Sequence, residues 1–252
     1  MSRLLGKAAL GALTAAVLAG FSAASLPAGA QEQPKAVIEL YTSQGCSSCP
    51  PADRLLKKLA KRNDIIALTL PVDYWDYLGW KDTLASPVFS ARQRAYAKTR
   101  GDGQVYTPQA VIDGTYHVVG SQASSIEQAI SRAKEKLKNA RIPLSVETRG
   151  DTLIITVGAA PSNTRVKPAT IWLALVKKSI PVKISRGENR GKIITYHQVV
   201  RNLTPVGQWT GQKVTIRLQK RHLQSKETDG CTVLLQQDTA GPILAAVEIK
   251  NW

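Results

Sequence analysis

Hydrophobic and polar positions in the first half of the chain alternate between a strand-like and a helix-like period. The apolar, β-prone runs Ala36–Tyr41 and Ile65–Val72 predict two strands. Between them, Pro51–Arg62 places its leucines on one face and predicts a helix. Ser86 precedes a proline and predicts the start of a second helix that runs towards Thr99.

A hairpin and a third helix complete this half. The runs Val105–Ile112 and Thr115–Val119 lie on either side of an Asp-Gly pair, which is a hairpin turn signal. Ser124 and Glu127 have the spacing of a capping box and precede a basic amphipathic helix that ends near Asn139. The order β-α-β-α-β-β-α predicts a mixed sheet flanked by helices.

After Pro143 the helical period disappears, and short β-prone runs alternate with Gly, Pro and Asn turns. This pattern predicts an all-β antiparallel, sandwich-like domain over residues 141–252, following an α/β domain over residues 31–140. The predicted strands are Leu144–Thr148, Thr152–Val157, Thr170–Lys177, Lys192–Val200, Lys213–Leu218, Cys231–Gln236 and Ile243–Ile249.

Residues 1–30 have the layout of a secretory signal peptide. Arg3 and Lys7 precede the apolar stretch Ala8–Ala24, and Ala28 and Ala30 supply small residues at a cleavage site. The alternative is an uncleaved anchor, but the stretch is marginal in length and rich in Ala and Gly. We therefore expect a periplasmic or secreted protein with no stable membrane span after cleavage.

Composition narrows the class of protein. The 252 residues are 43% hydrophobic, which excludes wholesale disorder, and three cysteines are too few for a disulfide-stapled scaffold. The net charge is +16, and residues 141–252 hold 17 basic and 7 acidic residues, a net charge of +10. Because the chain is predicted to be exported and has no nucleic-acid motif, we expect no nucleic-acid partner. An acidic envelope surface or a simple solvated basic face fits better.

The candidate chemistry is a Cys-Ser-Ser-Cys motif between the first strand and the first helix. A helix N-terminus stabilises a thiolate through its dipole and free N–H groups. We predict that Cys46 is the exposed nucleophile and that Cys49 resolves the mixed disulfide. The expected function is thiol–disulfide exchange with protein thiols or disulfides, without a cofactor.

Two other interpretations of the pair stay open. In an exported protein it could be a structural disulfide of a non-catalytic envelope binding or assembly module. A metallochaperone would use the cysteines with Asp73 or His117, although one pair supplies only two metal ligands. The third cysteine, Cys231, is expected to be a buried apolar side chain, with a third redox partner as the alternative.

Thr107 and Pro108 enter a predicted strand, where proline removes a ladder donor. A cis bond between them, beside the disulfide, would leave backbone groups available for a substrate's extended chain. The alternative is an ordinary trans proline at a sheet edge.

The segment after the second strand carries Asp73, Tyr74 and Trp75 and should emerge at the same sheet end as Cys46. Its aromatic residues predict a groove for an unfolded substrate, with Asp73 tuning the thiols. The alternative is a packed aromatic corner that holds the following helix.

The strand, Cys-x-x-Cys, helix and Thr-Pro order resembles the thioredoxin fold over roughly residues 35–140. The segments Glu39–Asp53, Val72–Trp80, Arg186–Gly191 and Tyr196–His197 resemble, more narrowly, the exported thioredoxin-like bacterial family labelled domain of unknown function 1223. That label assigns no reaction, so the resemblance bears on the fold more than on the function.

The thioredoxin resemblance also implies a role for Glu39. In thioredoxins a buried acid near this position assists deprotonation of the resolving cysteine, which here is Cys49. A buried carboxyl has a raised pKa and can accept that proton. The alternative is that Glu39 points to solvent or pairs with a lysine.

Overall fold

The computed structural model describes residues 33–161 and 166–250. The predicted signal peptide and its cleavage site lie outside these described residues. Within them, no helix combines the length and the apolar character needed to cross a membrane.

The predicted order of elements is confirmed in both halves of the described chain. The three α-helices are Pro50–Leu59 (α1), Pro87–Arg100 (α2) and Ala123–Leu137 (α3). The strands of the first half are Ala36–Thr42 (β1), Ile65–Pro71 (β2), Gln109–Ile112 (β3) and Tyr116–Val119 (β4). Those of the second half are Leu144–Arg149 (β5), Thr152–Val157 (β6), Ala169–Lys183 (β7), Ile193–Trp209 (β8), Val214–Gln219 (β9), Gly230–Gln237 (β10) and Ile243–Ile249 (β11).

The described strands form a mixed sheet of eight and a separate sheet of three. The order in the large sheet is β11-β10-β7-β8-β2-β1-β3-β4. The pairs β1–β2 and β2–β8 are parallel, and the other neighbours are antiparallel. The small sheet, β5-β6-β9, is antiparallel throughout. The protein is therefore a mixed α/β protein with a β-rich second half.

The two faces of β1 pack against different helices. Ile38 and Leu40 lie in a cluster with Ala52 and Leu56 of α1 and with residues of α3. The alternate positions, including Tyr41, join a cluster with Phe89 and Tyr96 of α2. Alternation along a strand explains this division, because successive side chains point to opposite faces of a sheet.

The small sheet covers part of the large one. Leu153 and Ile155 of β6 share a buried cluster with Leu173 of β7 and Val233 of β10. The two sheets pack against each other through side chains at alternating positions of their strands. In β6, every second residue is buried.

Two local predictions were wrong. The third helix begins at Ala123 after Gln122, without a side-chain cap, so Ser124 lies inside the helix and no capping box forms. Glu127 instead pairs with Arg62 at 2.6 Å. The strand predicted from Val105 also starts later than expected: β3 begins at Gln109, directly after Pro108.

The strands β7 and β8 are much longer than predicted. Their pairing continues to Lys183 and Ile193, so the hairpin extends well beyond the rest of the sheet. The connecting residues Arg186–Gly191, which we call the clasp loop, lie at its tip. This extension carries the clasp loop to the first half of the chain.

The large sheet includes strands from both sides of the predicted domain boundary near Arg141. Thr69 of β2 pairs with Val199 of β8, and the Thr69 hydroxyl donates to the His197 carbonyl at 2.7 Å. Arg141 itself contacts Asp113 at 2.7 Å. The division into domains 31–140 and 141–252 stays a prediction.

Candidate functional site

Cys46 and Cys49 form a disulfide at the start of α1. Cys49 is the residue that caps the helix, and its carbonyl accepts from the Ala52 and Asp53 amides at 2.9 and 3.1 Å. Two prolines occupy the first turn, where a missing N–H costs no helical bond. The disulfide therefore lies at the positive end of the helix dipole.

Both cysteines are buried. Cys46 is 1% exposed and Cys49 is 0% exposed. We expected Cys46 to be the exposed cysteine, and the structure contradicts that expectation. The exposed residues of the motif are Ser47 and Ser48.

The clasp loop binds the backbone of the cysteine motif. The Asn189 side chain is fully buried and donates to the carbonyls of Gln44 at 3.0 Å and Cys46 at 2.8 Å. Glu188 accepts from the Ser47 amide at 2.9 Å. Hydrogen bonds from the Ser47 side chain and backbone lower the pKa of Glu188. The backbone amide of Ser47, beside the disulfide, is thus hydrogen-bonded to a carboxylate.

Gln44 joins the cysteine motif to the loop after β2. Its amide donates to Asp82 at 2.8 Å, and its side-chain oxygen accepts from Trp80 Nε1 at 2.8 Å. Asp82 also accepts from the Leu84 amide at 2.9 Å. Burial raises the pKa of Asp82 to about 6, against the effect of these backbone donors.

Trp75 connects the cysteine motif to the Thr107–Pro108 pair. Its Nε1 donates to the Thr107 hydroxyl at 2.8 Å. Its backbone and Cβ pack so closely on Gly45 that a Cβ atom there would lie 3.2 Å from Trp75 Cβ. A glycine before Cys46 therefore permits this contact, and Trp75 touches both the residue before Cys46 and Thr107.

The Thr107–Pro108 bond is cis, as predicted. Pro108 lies beside α1, because a Cβ at Gly120 would be 3.4 Å from both Pro108 Cβ and Ala52 Cβ. The Gly120 amide donates to the Pro108 carbonyl at 2.9 Å. Cys46, Cys49, Thr107, Pro108 and Trp75 are thus assembled at one end of α1.

Tyr74 and Asp73 are held by α2. The Tyr74 hydroxyl donates to Gln93 at 3.1 Å. Asp73 accepts a short hydrogen bond from the Ser90 hydroxyl, and its own amide donates back to Ser90 at 3.2 Å. The carboxylate of Asp73 is thus bound to α2, and its predicted effect on the thiols stays a prediction.

Glu39 lies on the face of β1 that packs against α2. Its carboxylate pairs with Arg92 at 2.7 Å and accepts a short hydrogen bond from Tyr96. Glu39 and Arg92 are both buried, with exposed fractions of 1% and 6%. Because α1 covers the opposite face, Glu39 is separated by the sheet from the helix that carries Cys49. Its predicted role as proton acceptor stays a prediction.

Asp53 is a buried acid on the same helix as the disulfide. It follows Cys49 by four residues, a spacing that places two side chains on one face of a helix. Thr42 donates to one carboxyl oxygen at 2.9 Å, while the other is buried without a partner among the described residues. Burial raises the pKa of Asp53 to about 7.

Tyr196 belongs to the same buried polar region. Its hydroxyl is buried and lacks a hydrogen-bond partner within the described chain. Burial raises the pKa of Tyr196, and the charges of Asp53 and Asp82 raise it further. Since Tyr196 lies on β8, the second half of the chain contributes to this region as well as to the clasp loop.

The residues of the alternative interpretations lie elsewhere. His117 contacts Asp102 at 3.2 Å and Tyr106 at 2.9 Å. In the described part of the chain, no group of three or more His, Cys, Asp or Glu side chains is placed to hold a metal ion. Cys231 is unpaired and buried on β10, and burial raises the pKa of its thiol to about 12.

The sequence predictions missed the residues that cover and support the disulfide. Glu188 and Asn189 were noticed only within a family motif, between two glycines that mark a tight loop. For Asp53 the available signal was its spacing of four from Cys49. Nothing in the local pattern distinguished Gln44 or Asp82.

Three comparisons place the chain among known proteins. A family model described as "Protein of unknown function (DUF1223)" matches residues 37–236. A crystal structure of an Agrobacterium tumefaciens protein shares 35% identity and a TM-score of 0.76, covering 87% of this chain and 96% of that one. HBP35 of Porphyromonas gingivalis has 13% identity and a TM-score of 0.57, covering 87% and 76%, which bears on the fold alone. No curated protein matches.

Proposed function

Because this chain belongs to the family of unknown function DUF1223, whose description names no reaction, we propose a function from the site itself: thiol–disulfide exchange through Cys46 and Cys49. The observation that carries the proposal is the disulfide at the N-terminus of α1, beside the Thr107–Pro108 loop. A helix N-terminus favours a thiolate, and a thiolate is the reactive form of cysteine in exchange.

In the oxidised form, a substrate thiolate attacks Cys46 Sγ, and the bond to Cys49 breaks. Cys49 leaves as a thiolate and takes a proton, while Cys46 is held in a mixed disulfide. A second substrate thiolate then attacks the substrate sulfur of that bond and releases Cys46. The substrate dithiol is oxidised by two electrons and the Cys46–Cys49 disulfide is reduced. The reverse sequence reduces a substrate disulfide.

Asp53 is the group best suited to exchange a proton with Cys49. It lies one helical turn away, and its pKa of about 7 lets it hold or release a proton near neutral pH. Glu39, in contrast, is committed to a buried ion pair with Arg92 on the other side of the sheet.

Exchange at Cys46 requires the clasp loop to move. A sulfur atom of an attacking thiolate must reach Cys46 Sγ in line with the disulfide, and a residue that is 1% exposed offers no such approach. The contacts of Glu188 and Asn189 with the motif are the ones that opening would break.

Burial of the disulfide favours a second candidate. A buried disulfide that ties the start of α1 and resists reduction would suit a non-catalytic binding or assembly module. In that function the clasp loop would be a permanent cover. The two candidates differ in whether Cys46 forms mixed disulfides with other proteins.

We further propose that residues 31–140 form a thioredoxin-like unit and that the β-rich remainder is sandwich-like. Support comes from the element order of the first half and from the Cys-x-x-Cys motif at the start of its first helix. Export to the periplasm or medium would supply an oxidising compartment and protein thiols or disulfides as partners. The basic second half would then face an acidic envelope surface.

Trapping with a Cys49→Ser variant tests the catalytic proposal. The variant cannot resolve a mixed disulfide, so complexes joined through Cys46 should accumulate when it is expressed with its native leader. Non-reducing electrophoresis and mass spectrometry of the joined peptides measure them. The Cys231→Ser background removes the other thiol.

A Cys46→Ser, Cys49→Ser double variant is the matched control and should trap nothing. If the single variant also traps nothing, although its Cys46 reacts with an alkylating reagent after denaturation, the structural-disulfide candidate is favoured. A large loss of thermal stability on reduction of the wild-type protein would support that candidate further.

A further inference from the structure

A cavity lies near the end of α1 that is opposite to the disulfide. It has a volume of about 250 Å³ and is bounded by the C-terminal part of α1 and by β7, β8, β10 and β11. Lys57, the first helix residue in its wall, follows Cys49 by eight positions, which corresponds to roughly 12 Å along a helix. The cavity is therefore separate from the candidate exchange site.

The rim of this cavity is strongly basic. Lys57 lies near the end of α1 and Lys61 in the turn that follows it, and Lys178 and Lys250 come from the sheet side. The acid among the described lining residues is Glu248, which accepts from Gln198 at 2.7 Å and lies 3.7 Å from Lys250. Among the described lining residues, lysines outnumber carboxyl groups, so the formal charge of the lining is positive.

The floor of the cavity is apolar. Ala60, Val176, Cys231 and Ile249 line it. Burial keeps the Cys231 thiol protonated at neutral pH, since it raises the pKa to about 12. A neutral thiol behaves as a small hydrophobic group, so the floor suits an aliphatic or aromatic body rather than a fully hydrated ion.

Two neighbouring residues of β8 bear on the rim. Gln198 has a φ of 50°, an uncommon conformation for a residue with a side chain. It interrupts the β7–β8 ladder and directs its amide to Glu248. His197 lines the cavity, and its pKa is lowered by burial and by the positive charges of Lys57 and Lys61. The two lysines therefore act on the interior and not only on solvent.

We propose that this cavity binds a small organic anion with an apolar body, of the monoalkyl phosphate or alkyl carboxylate class. The acidic group would lie among Lys57, Lys61, Lys178 and Lys250, and the alkyl body would cover Val176 and Cys231. Both parts are required by the lining: a basic rim alone attracts any anion, and an apolar floor alone attracts any small hydrophobic molecule. The inference is independent of the proposed exchange reaction.

Isothermal titration of the oxidised wild-type protein with octyl phosphate, below its micelle concentration, tests the site. We expect saturable binding that weakens as salt rises, because the rim charges are partly exposed. Inorganic phosphate and 1-octanol, each lacking one part of the probe, should bind at least tenfold more weakly. Equal binding of either, or no binding of octyl phosphate, would overturn the proposal.

Two variants on one helix localise the binding. Lys57→Gln removes a rim charge and should weaken octyl phosphate binding roughly threefold to tenfold, as a partly screened charge contact would. Lys58→Gln removes the same charge from the adjacent position, which is outside the cavity wall, and should leave binding within twofold of the wild type. Equal weakening by both variants would mean diffuse attraction to a basic surface and would contradict a built site.

Discussion

Asp53 and Glu39 are two buried acids with opposite surroundings. Glu39 is neutralised in place by Arg92 and Tyr96, so its carboxylate is part of the packing between β1 and α2. Asp53 has a hydroxyl donor from Thr42 but no ion pair among the described residues, and burial therefore shifts its pKa upward to about 7. At the residue scale, Asp53, on the disulfide's own helix, therefore titrates near neutral pH.

This raised pKa makes the folded state sensitive to pH. Below the ordinary value of 3.8, Asp53 is neutral in both the folded and the unfolded chain, and its contribution to stability is fully present. Between pH 4 and 7 the unfolded chain releases the proton while the folded protein keeps it. Stability is therefore lost as the pH rises through about 7, and above that both states are ionised.

Replacing Asp53 with Asn removes this titration with little change of shape. The variant should gain stability relative to the wild type between pH 4 and pH 8, by up to about 4 kcal/mol, since each tenfold difference in proton affinity is worth about 1.4 kcal/mol. Urea unfolding of both oxidised proteins at the two pH values measures the difference. A difference that stays constant with pH would contradict the raised pKa.

Asp102→Asn gives the opposite sign and serves as the comparison. Hydrogen bonds from Arg100 lower the pKa of Asp102 to about 2. Its stabilisation is present above the ordinary value of 3.8 and is lost as the pH falls through about 2. That variant should therefore be less stable than the wild type at pH 8, by a small amount because Asp102 is partly exposed.

At the scale of elements, the long β7–β8 hairpin is the feature that brings the second half of the chain to the cysteine motif. Its pairing extends to Lys183 and Ile193 and delivers the clasp loop to the cysteine motif. Asn189 is buried and binds two carbonyls, so it positions the motif. Glu188 is exposed, accepts from the Ser47 backbone amide and carries a negative charge.

A Glu188→Gln variant should be reduced faster than the wild type. The Glu188 carboxylate repels an attacking thiolate and accepts a hydrogen bond from the Ser47 amide. A Gln side chain has no charge to repel the thiolate, and it accepts the hydrogen bond less strongly. We expect the rate of reduction by dithiothreitol to rise roughly two- to fivefold, which is the range for exposed charge interactions. Stopped-flow tryptophan fluorescence or thiol quantification measures the rate.

Glu135→Gln makes the same charge change on the exposed surface of α3 and should leave the reduction rate unchanged. The thermal stability of both variants should match that of the wild type, so an altered rate reports access and charge. Unchanged reduction of Glu188→Gln would show that the clasp loop does not limit attack on Cys46.

At the scale of the whole molecule, the two halves share one sheet and one core. Tyr41, Leu68 and Phe89 of the first half lie in the same buried cluster as Val176 and Val200 of the second. Removing either half would expose this cluster to water, at about 25 cal/mol for each Å² of apolar surface. The shared core therefore favours cooperative unfolding over two independent transitions.

We predict a single urea transition for the oxidised protein. Two variants, both with Trp252 replaced, report the halves separately by tryptophan fluorescence. One keeps Trp75 and Trp80, before residue 141, and the other keeps Trp172 and Trp209, among the described positions after it. Their fluorescence curves should coincide with each other and with far-ultraviolet circular dichroism. Two separated midpoints would instead support independent domains that meet near Arg141.

Local pattern predicted the elements well, because a strand or helix is determined largely by short-range periodicity and by turn residues. The order of helices and strands and the Cys46–Cys49 pair at a helix start follow this rule. The cis bond before Pro108 was instead inferred from the expected proximity of the disulfide. The capping box at Ser124 failed, because the helix begins at Ala123 and Ser124 lies inside it, while Glu127 pairs with Arg62 from another part of the chain.

The sequence by itself therefore determined the succession of elements, the position of the Cys46–Cys49 pair at a helix start and the basic character of the second half. Only the tertiary structure decided that Asn189, 143 residues from Cys46, binds the Cys46 carbonyl, and that Lys57 and Lys178 border one cavity. The physical reason is that periodicity reports contacts within a few residues. The β2–β8 pairing and the reach of the hairpin depend instead on long-range contacts whose partners carry no shared local signal.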